Sequence, residues 1–151
     1  MTESPHYYYA YGSNMSTSRL VERIPEALPL GAASIAGYRL RCNKLGADGS
    51  GKANLVLDTT TVAWGVAFEV PAATWRTLDG FEVGYERVGC SVVHAHHGEI
   101  EAQMYLALEP GHFEVSPFEW YLEHMTRGAS EHGLPDEYQE AIAAWQTRTA
   151  G

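Results

Sequence analysis

An α+β arrangement is expected of this chain of 151 residues, for three reasons. Runs rich in aromatic and β-branched residues fill most of the chain up to Leu108 and read as strands. A proline-led helix start stands at Ser116-Pro117, and apolar residues recur at helical spacing through the last segment. The two element types come in mixed order, without the strict alternation of a parallel α/β sheet.

Each element follows from its residues. His6 to Ala10 is aromatic-rich and predicts a strand, and Tyr11-Gly12 breaks it. Leu20, Val21 and Ile24 give Thr17 to Ile24 a helical face, with Ser16 as N-cap and Pro25 as terminator. Ala32 to Asn43 predicts a strand pair or one long bent strand, followed by a glycine-rich loop over 46–52. Leu55 to Asp58 and Val62 to Val70 predict two strands joined by a turn at Thr59-Thr60-Thr61, and Pro71 to Leu78 a short helix. Arg87 to Ala95 and Ile100 to Leu108 predict a hairpin around His97-Gly98-Glu99. Ser116-Pro117-Phe118-Glu119 predicts a capping box, with Phe118, Tyr121, Leu122, Met125 and Ala129 as the apolar stripe behind it and Gly133 as the stop. Pro135 opens a last helix that aligns Tyr138, Ile142 and Trp145.

The length predicts a single domain over 1–151 that buries about 68–70% of its unfolded surface, without disulfides or metal. A formal net charge of -9 argues against a nucleic-acid partner, which requires a clustered basic surface. Cys42 and Cys90 read as reduced core thiols. No apolar run reaches the roughly 20 residues that span a bilayer, and no basic–apolar leader opens the chain. A cytoplasmic location with no membrane partner is expected.

The richest motif is Tyr11-Gly12-Ser13-Asn14-Met15, where a strand breaks at glycine and runs into a helix start. Such a junction leaves several N–H groups pointing one way, a cradle for a carboxylate or a developing oxyanion. The second is the acid of Leu78-Asp79-Gly80-Phe81-Glu82-Val83-Gly84-Tyr85. Leu78, Phe81, Val83 and Tyr85 could desolvate Glu82, and Tyr85 could hydrogen-bond it or a ligand. An anion cradle and one acid suggest chemistry on a small amide or ester, with no cofactor and no metal.

Other motifs carry less. Gly46 to Ala53 nearly spells a phosphate-binding loop, but Ala53 stands where a Ser or Thr would hold magnesium, and strand-like residues follow Lys52. A flexible loop at a pocket mouth is the reading retained. His94 and His96 share a strand face without an identifiable third ligand, so exposed hairpin histidines are expected. No Gly-x-Ser-x-Gly elbow exists for a serine triad.

Taken in order, Tyr11-Gly12-Ser13-Asn14, Asp48-Gly49-Ser50-Gly51-Lys52-Ala53-Asn54, Trp64-Gly65-Val66, Leu78-Asp79-x-x-Glu82 and Gly128-Ala129-x-Glu131-His132-Gly133-Leu134-Pro135-x-Glu137-Tyr138 resemble the γ-glutamylcyclotransferase-like (AIG2-like) family along nearly the whole chain. The resemblance implies a mixed sheet curled into a small barrel with flanking helices. It implies that residues 11–15 bind a γ-glutamyl substrate and that Glu82 is the acid/base. It also admits a homodimer. One departure stands out: the family commonly has glycine directly after the glutamate, whereas here Val83 precedes Gly84.

The implied reaction closes the substrate's own α-amine onto its γ-carbonyl, giving 5-oxoproline and a free amine. Whether the loop amides hold the α-carboxylate or the oxyanion stays open at this point. So does the leaving amine: the acidic balance leans toward a polyamine, a lysine side chain or an aminoglycoside-like amine. A metabolite-binding module without turnover is the rival from another class.

Overall fold

The computed structural model describes residues 5–149, so the outermost residues of the expected 1–151 domain lie outside it. Five strands close into a barrel: β1 (His6–Ala10), β2 (Leu28–Leu45), β3 (Gly51–Val70), β4 (Tyr85–His94) and β5 (Gly98–Ala107), in the order β1-β3-β2-β4-β5. Neighbours run antiparallel except where β1 meets β5 in parallel, Tyr8 opposite Gln103. Closure removes the unpaired edges that an open sheet of this length would expose.

The long bent reading of Ala32 to Asn43 is the one found, extended at both ends into β2. The turn expected at Thr59-Thr60-Thr61 is absent: β3 is one strand carrying a bulge. Ala36 pairs with Val62 and Tyr38 with Leu57, so Gly37 alone faces four residues. Asp58 Oδ1 accepts from the Thr60 N–H at 3.0 Å and its hydroxyl at 2.6 Å, which closes the extra residues on themselves. Gly37 has φ 85°, a left-handed value suited to glycine. The turn chemistry was there, but the ladder runs past it.

Two apolar cores follow from strand alternation. One is made of strand residues and Tyr11, including Tyr9, Ile35, Ala67, Val92 and Met104. The other joins the opposite faces of β1 and β3, through Tyr8, Val66, Phe68 and Val70, to Leu20, Leu78, Met125 and Ile142 of the helices. Those helices are α1 (Thr17–Arg23), α2 (Trp75–Phe81), α3 (Glu119–Glu131) and α4 (Asp136–Ala143). A 3₁₀ turn over Ala72–Thr74 occupies the first part of the helix expected from Pro71.

The capping box at Ser116 does not form. α3 starts at Glu119 with Phe118 as its cap residue. The segment before it is tied out straight instead: the Val115 N–H donates to the Cys42 carbonyl at 2.8 Å, and the Ser116 carbonyl accepts from the Gly51 N–H at 3.1 Å. Contact is so close there that a Cβ on Gly51 would fall 1.8 Å from the Val115 oxygen. Long-range backbone pairing outcompetes the local cap. Trp145, expected on the face of the last helix, lies beyond the end of α4.

α3 lies backbone-to-backbone on the turn that follows β1. A Cβ on Gly128 would come within 2.3 Å of the Met15 carbonyl carbon and 2.5 Å of the Ser16 nitrogen. Neither atom can swing away as a side chain could. Gly128→Ala is expected to destabilise by about 1–3 kcal/mol, the usual penalty of overpacking, read as a lower urea midpoint at unchanged m-value.

Candidate active site

Tyr11 continues β1 to Gly12, where the chain turns and winds one 3₁₀ turn, Ser13–Met15. The Met15 N–H donates to Gly12 O at 3.1 Å and the Ser16 N–H to Ser13 O at 3.3 Å. The N–H groups of Gly12, Ser13 and Asn14 donate to no described residue, as the junction predicted. Glycine suits position 12 because a Cβ would lie 3.1 Å from that of Ala53 and 3.4 Å from the Tyr121 hydroxyl.

Glu82 arrives from the far side, as the residue that ends α2. Its N–H closes the helix on Leu78 O at 3.0 Å, and its carbonyl accepts from the Tyr85 N–H at 3.1 Å. Glu82 to Tyr85 is thus a β-turn with Gly84 third, at φ 86°. This accounts for the glycine offset: the left-handed position is Gly84, and Val83 faces solvent. The turn aims the carboxylate inward, where Asn14 Nδ2 donates to Glu82 Oε1 at 3.1 Å and to the Tyr8 hydroxyl at 3.0 Å. Two motifs 68 residues apart in the sequence meet in one hydrogen bond. Asn14 Oδ1, also buried, has no partner among the described residues.

Tyrosines enclose this pair, and most of their hydroxyls are already engaged. Tyr85 donates to Ala53 O at 2.7 Å, while Tyr121 accepts from the Ala53 N–H at 3.0 Å, so two phenols hold both main-chain polar groups of one β3 residue. Tyr11 donates to Tyr105 O, and Tyr105 to Asp79 Oδ1 at 2.7 Å. Burial pushes the phenols of Tyr8, Tyr11, Tyr85 and Tyr121 far above their usual range. At neutral pH they are donors, never bases.

Burial also raises the Glu82 carboxyl above its ordinary 4.5, and the charges of Arg23, Arg19 and Lys44 and the Asn14 hydrogen bond only partly oppose it. A small inner cavity of about 40 Å³ is lined by Tyr8, Tyr11, Gly12, Ser13, Asn14 and Glu82 among others. Ser13, Glu82, Tyr85 and Tyr121 also border an outer vestibule of about 310 Å³. The Gly46 and Ala47 end of the glycine-rich segment lies on that vestibule. The segment is the β2–β3 hairpin turn, and Lys52 is already in β3.

Of the residues singled out from sequence, Tyr11, Gly12, Ser13, Asn14, Glu82 and Tyr85 line the inner cavity. Met15 does not: its side chain is fully buried in the helix-side core and its N–H closes the 3₁₀ turn. Tyr138 packs against the same core. His94, expected to be exposed, is buried. Its Nε2 donates to Leu30 O at 3.0 Å and its Nδ1 accepts from the N–H groups of His96 and His97, both at 3.1 Å, so it holds the hairpin turn. Cys42 and Cys90 are unpaired, and burial lifts both thiols to about 12, too high for a nucleophilic thiolate. No helix of the described residues is long and apolar enough to cross a membrane.

Sequence reasoning missed Tyr8, Tyr105 and Tyr121 as lining residues. Tyr121 was readable only as part of a helix stripe, and Tyr8 only as one of three consecutive tyrosines. It also missed Arg19, Arg23, Lys44 and Lys52, which all border the vestibule. Arg19 and Arg23 stand four apart on a helix, a spacing that puts both on one face, and that signal was available.

The chain and its fold are similar to known proteins. The chain is 29% identical to human gamma-glutamylcyclotransferase, over 94% of this chain and 79% of the human one. It is 29% identical to the mouse protein of the same name, over 91% and 77%. A solved gamma-glutamyl cyclotransferase structure superposes with a TM-score of 0.87 at 26% identity, covering 97% of this chain and 91% of that one. The model of the AIG2-like family matches residues 62–142, which includes Glu82 and Tyr85. On that match, the chain belongs to the AIG2-like family.

Proposed function

We propose that this protein is a γ-glutamylcyclotransferase, converting a γ-glutamyl amide to 5-oxoproline and a free amine, with Glu82 as the acid/base. The observation that carries the reading is the bond from Asn14 to Glu82, which joins a desolvated carboxylate to the 11–14 loop. Relatives that bear the gamma-glutamylcyclotransferase name support the reaction class.

The chemistry asks little of the protein. The α-amine attacks its own γ-carbonyl and closes a five-membered ring, so proximity is built into the substrate, and effective molarities on the order of 10⁵ M or more apply. Glu82 takes a proton from the α-ammonium, which frees the lone pair that forms the C–N bond, and the ring nitrogen's other excess proton departs with the released amine as its ammonium. The tetrahedral carbon then carries an oxyanion, and the bond to the leaving nitrogen breaks as Glu82 returns the proton to it. An α-ammonium titrates at roughly 7.7–8.0 and a free glutamate at about 4.3, so a raised carboxyl narrows the gap and leaves a better acid for the second step. Asn14 Oδ1 supplies an acceptor for the ammonium. The unengaged N–H groups of Gly12, Ser13 and Asn14, with the Tyr121 hydroxyl, supply donors for the oxyanion or the α-carboxylate.

Incubation with γ-glutamyl amino acids is expected to release 5-oxoproline. Glu82→Gln should lower that rate by about 10²–10⁴-fold, the usual share of general acid–base catalysis, with an unchanged circular dichroism spectrum. Full activity in the variant would end the role given to Glu82. Tight calorimetric binding without oxoproline from the wild type would select the non-catalytic binder.

The acid limb of kcat/KM should fall above pH 4.5, because the base form is lost as pH drops through the raised Glu82 pKa. Stability carries the opposite sign. The folded state binds this proton more tightly than the unfolded chain. The stabilisation is therefore complete below 4.5 and disappears as pH rises through the folded value. Glu82→Gln, which cannot ionise, should lose less melting temperature than wild type over that window. Parallel curves would show that Glu82 is not desolvated.

A further inference from the structure

The vestibule holds a charge pattern that the fold does not need. Arg19 and Arg23 lie one turn apart on α1, and Lys44 and Lys52 are direct cross-strand partners in the β2–β3 ladder. Like charges at these spacings disfavour a helix and a sheet respectively. All four border the same outer cavity, where Glu82 is the lone acid. Lys44 and Lys52 are also the only lysines in a chain of net charge -9. Relief is partial. Asp48 reaches Lys52 at 3.3 Å, whereas Arg19, Arg23 and Lys44 form no ion pair with any described residue. The ring faces of Trp120, Phe81 and Tyr85 lie under the cations, with Lys52 at 5.0 Å, Arg23 at 4.8 Å and Lys44 at 5.2 Å. Arg19 donates through Nε to Ser13 Oγ at 3.1 Å, which fixes the arginine pair beside the substrate loop. Burial and the neighbouring Arg23 press the Arg19 pKa down, and Tyr121, Glu82 and Glu22 only partly oppose them.

Resting on the reaction proposed above, we infer that the outer cavity selects substrates whose leaving amine carries two carboxylates, an acidic amino acid. Two cationic pairs on separate walls call for two anionic groups, since the proposed reaction puts the glutamyl half at the inner cavity beside Glu82. The lysine pair is the part that discriminates, because Arg19 is bonded to Ser13 of the substrate loop whereas the lysines border the vestibule from the β2–β3 hairpin. This reverses the lean toward polyamines and aminoglycoside-like amines that overall acidity suggested. Global charge is the wrong guide, since Glu82 is the one acid among the described residues that border the cavity, and the cavity senses what borders it.

The test compares γ-glutamylglutamate with its near-isostere γ-glutamylglutamine, and with γ-glutamyl-1,4-diaminobutane, by 5-oxoproline release. The dicarboxylate is expected to exceed the glutamine form in kcat/KM by roughly tenfold or more, with a preference that shrinks as salt rises. The diamine should be the poorest. In Lys44→Met/Lys52→Met the ratio of the first two substrates should fall toward one, and relief of the cross-strand repulsion predicts a melting temperature no lower than wild type. Oxoproline from all three with a wild-type ratio near one, or a diamine preferred, overturns this selectivity alone. So does a ratio that the double variant leaves unchanged. Oxoproline from none of them overturns the reaction itself, and the selectivity with it.

Discussion

Everything at the site depends on how closely α3 can approach the turn after β1. Gly128 lets two backbones meet where any side chain would hold them apart, and that contact fixes Ser13–Met15 as a rigid shelf. Met15 secures the shelf from beneath while Asn14 projects from it. A loop tied only by its ends would let the Asn14 amide wander, and the bond to Glu82 would not hold its length. A site whose main asset is backbone donors needs backbone rigidity above all.

The acid is held by different means. Glu82 ends a helix and begins a tight turn, so both of its main-chain polar groups are used and its side chain has one way to go. The surrounding phenols then do two jobs. Their rings exclude water, which raises the carboxyl, and their hydroxyls grip fixed partners, so the wall is stiff without offering a competing base. Ala53 shows the economy of this: both main-chain polar groups of one residue are gripped by Tyr85 and Tyr121, which come from β4 and α3.

Much of this was legible in the sequence, for reasons that differ by residue. The Tyr11-Gly12-Ser13-Asn14 junction announced itself because strand-to-turn chemistry is local, and Glu82 because its neighbours are apolar. Gly84 carried the turn that Val83 could not, which the sequence presented only as an offset. What stayed hidden was set by pairing at a distance. The Thr59-Thr60-Thr61 turn became a bulge because β2 continues opposite it, and the Ser116 cap gave way to bonds from Cys42 and Gly51. The cationic vestibule was hidden for the same reason, since its residues come from α1 and from both strands of the hairpin.

The split between a cramped inner chamber and a wider antechamber separates two kinds of evolutionary freedom. In the proposed reaction the residues that move protons sit behind the tyrosine wall, where almost any exchange disturbs several neighbours at once. Lys44, Ala47 and Lys52 sit around a hairpin tip whose geometry is kept by Asp48 and Gly49. On the proposed reaction, descendants of this chain change which amine they release by altering a few positions on that tip, leaving the proposed ring-closing apparatus as it stands.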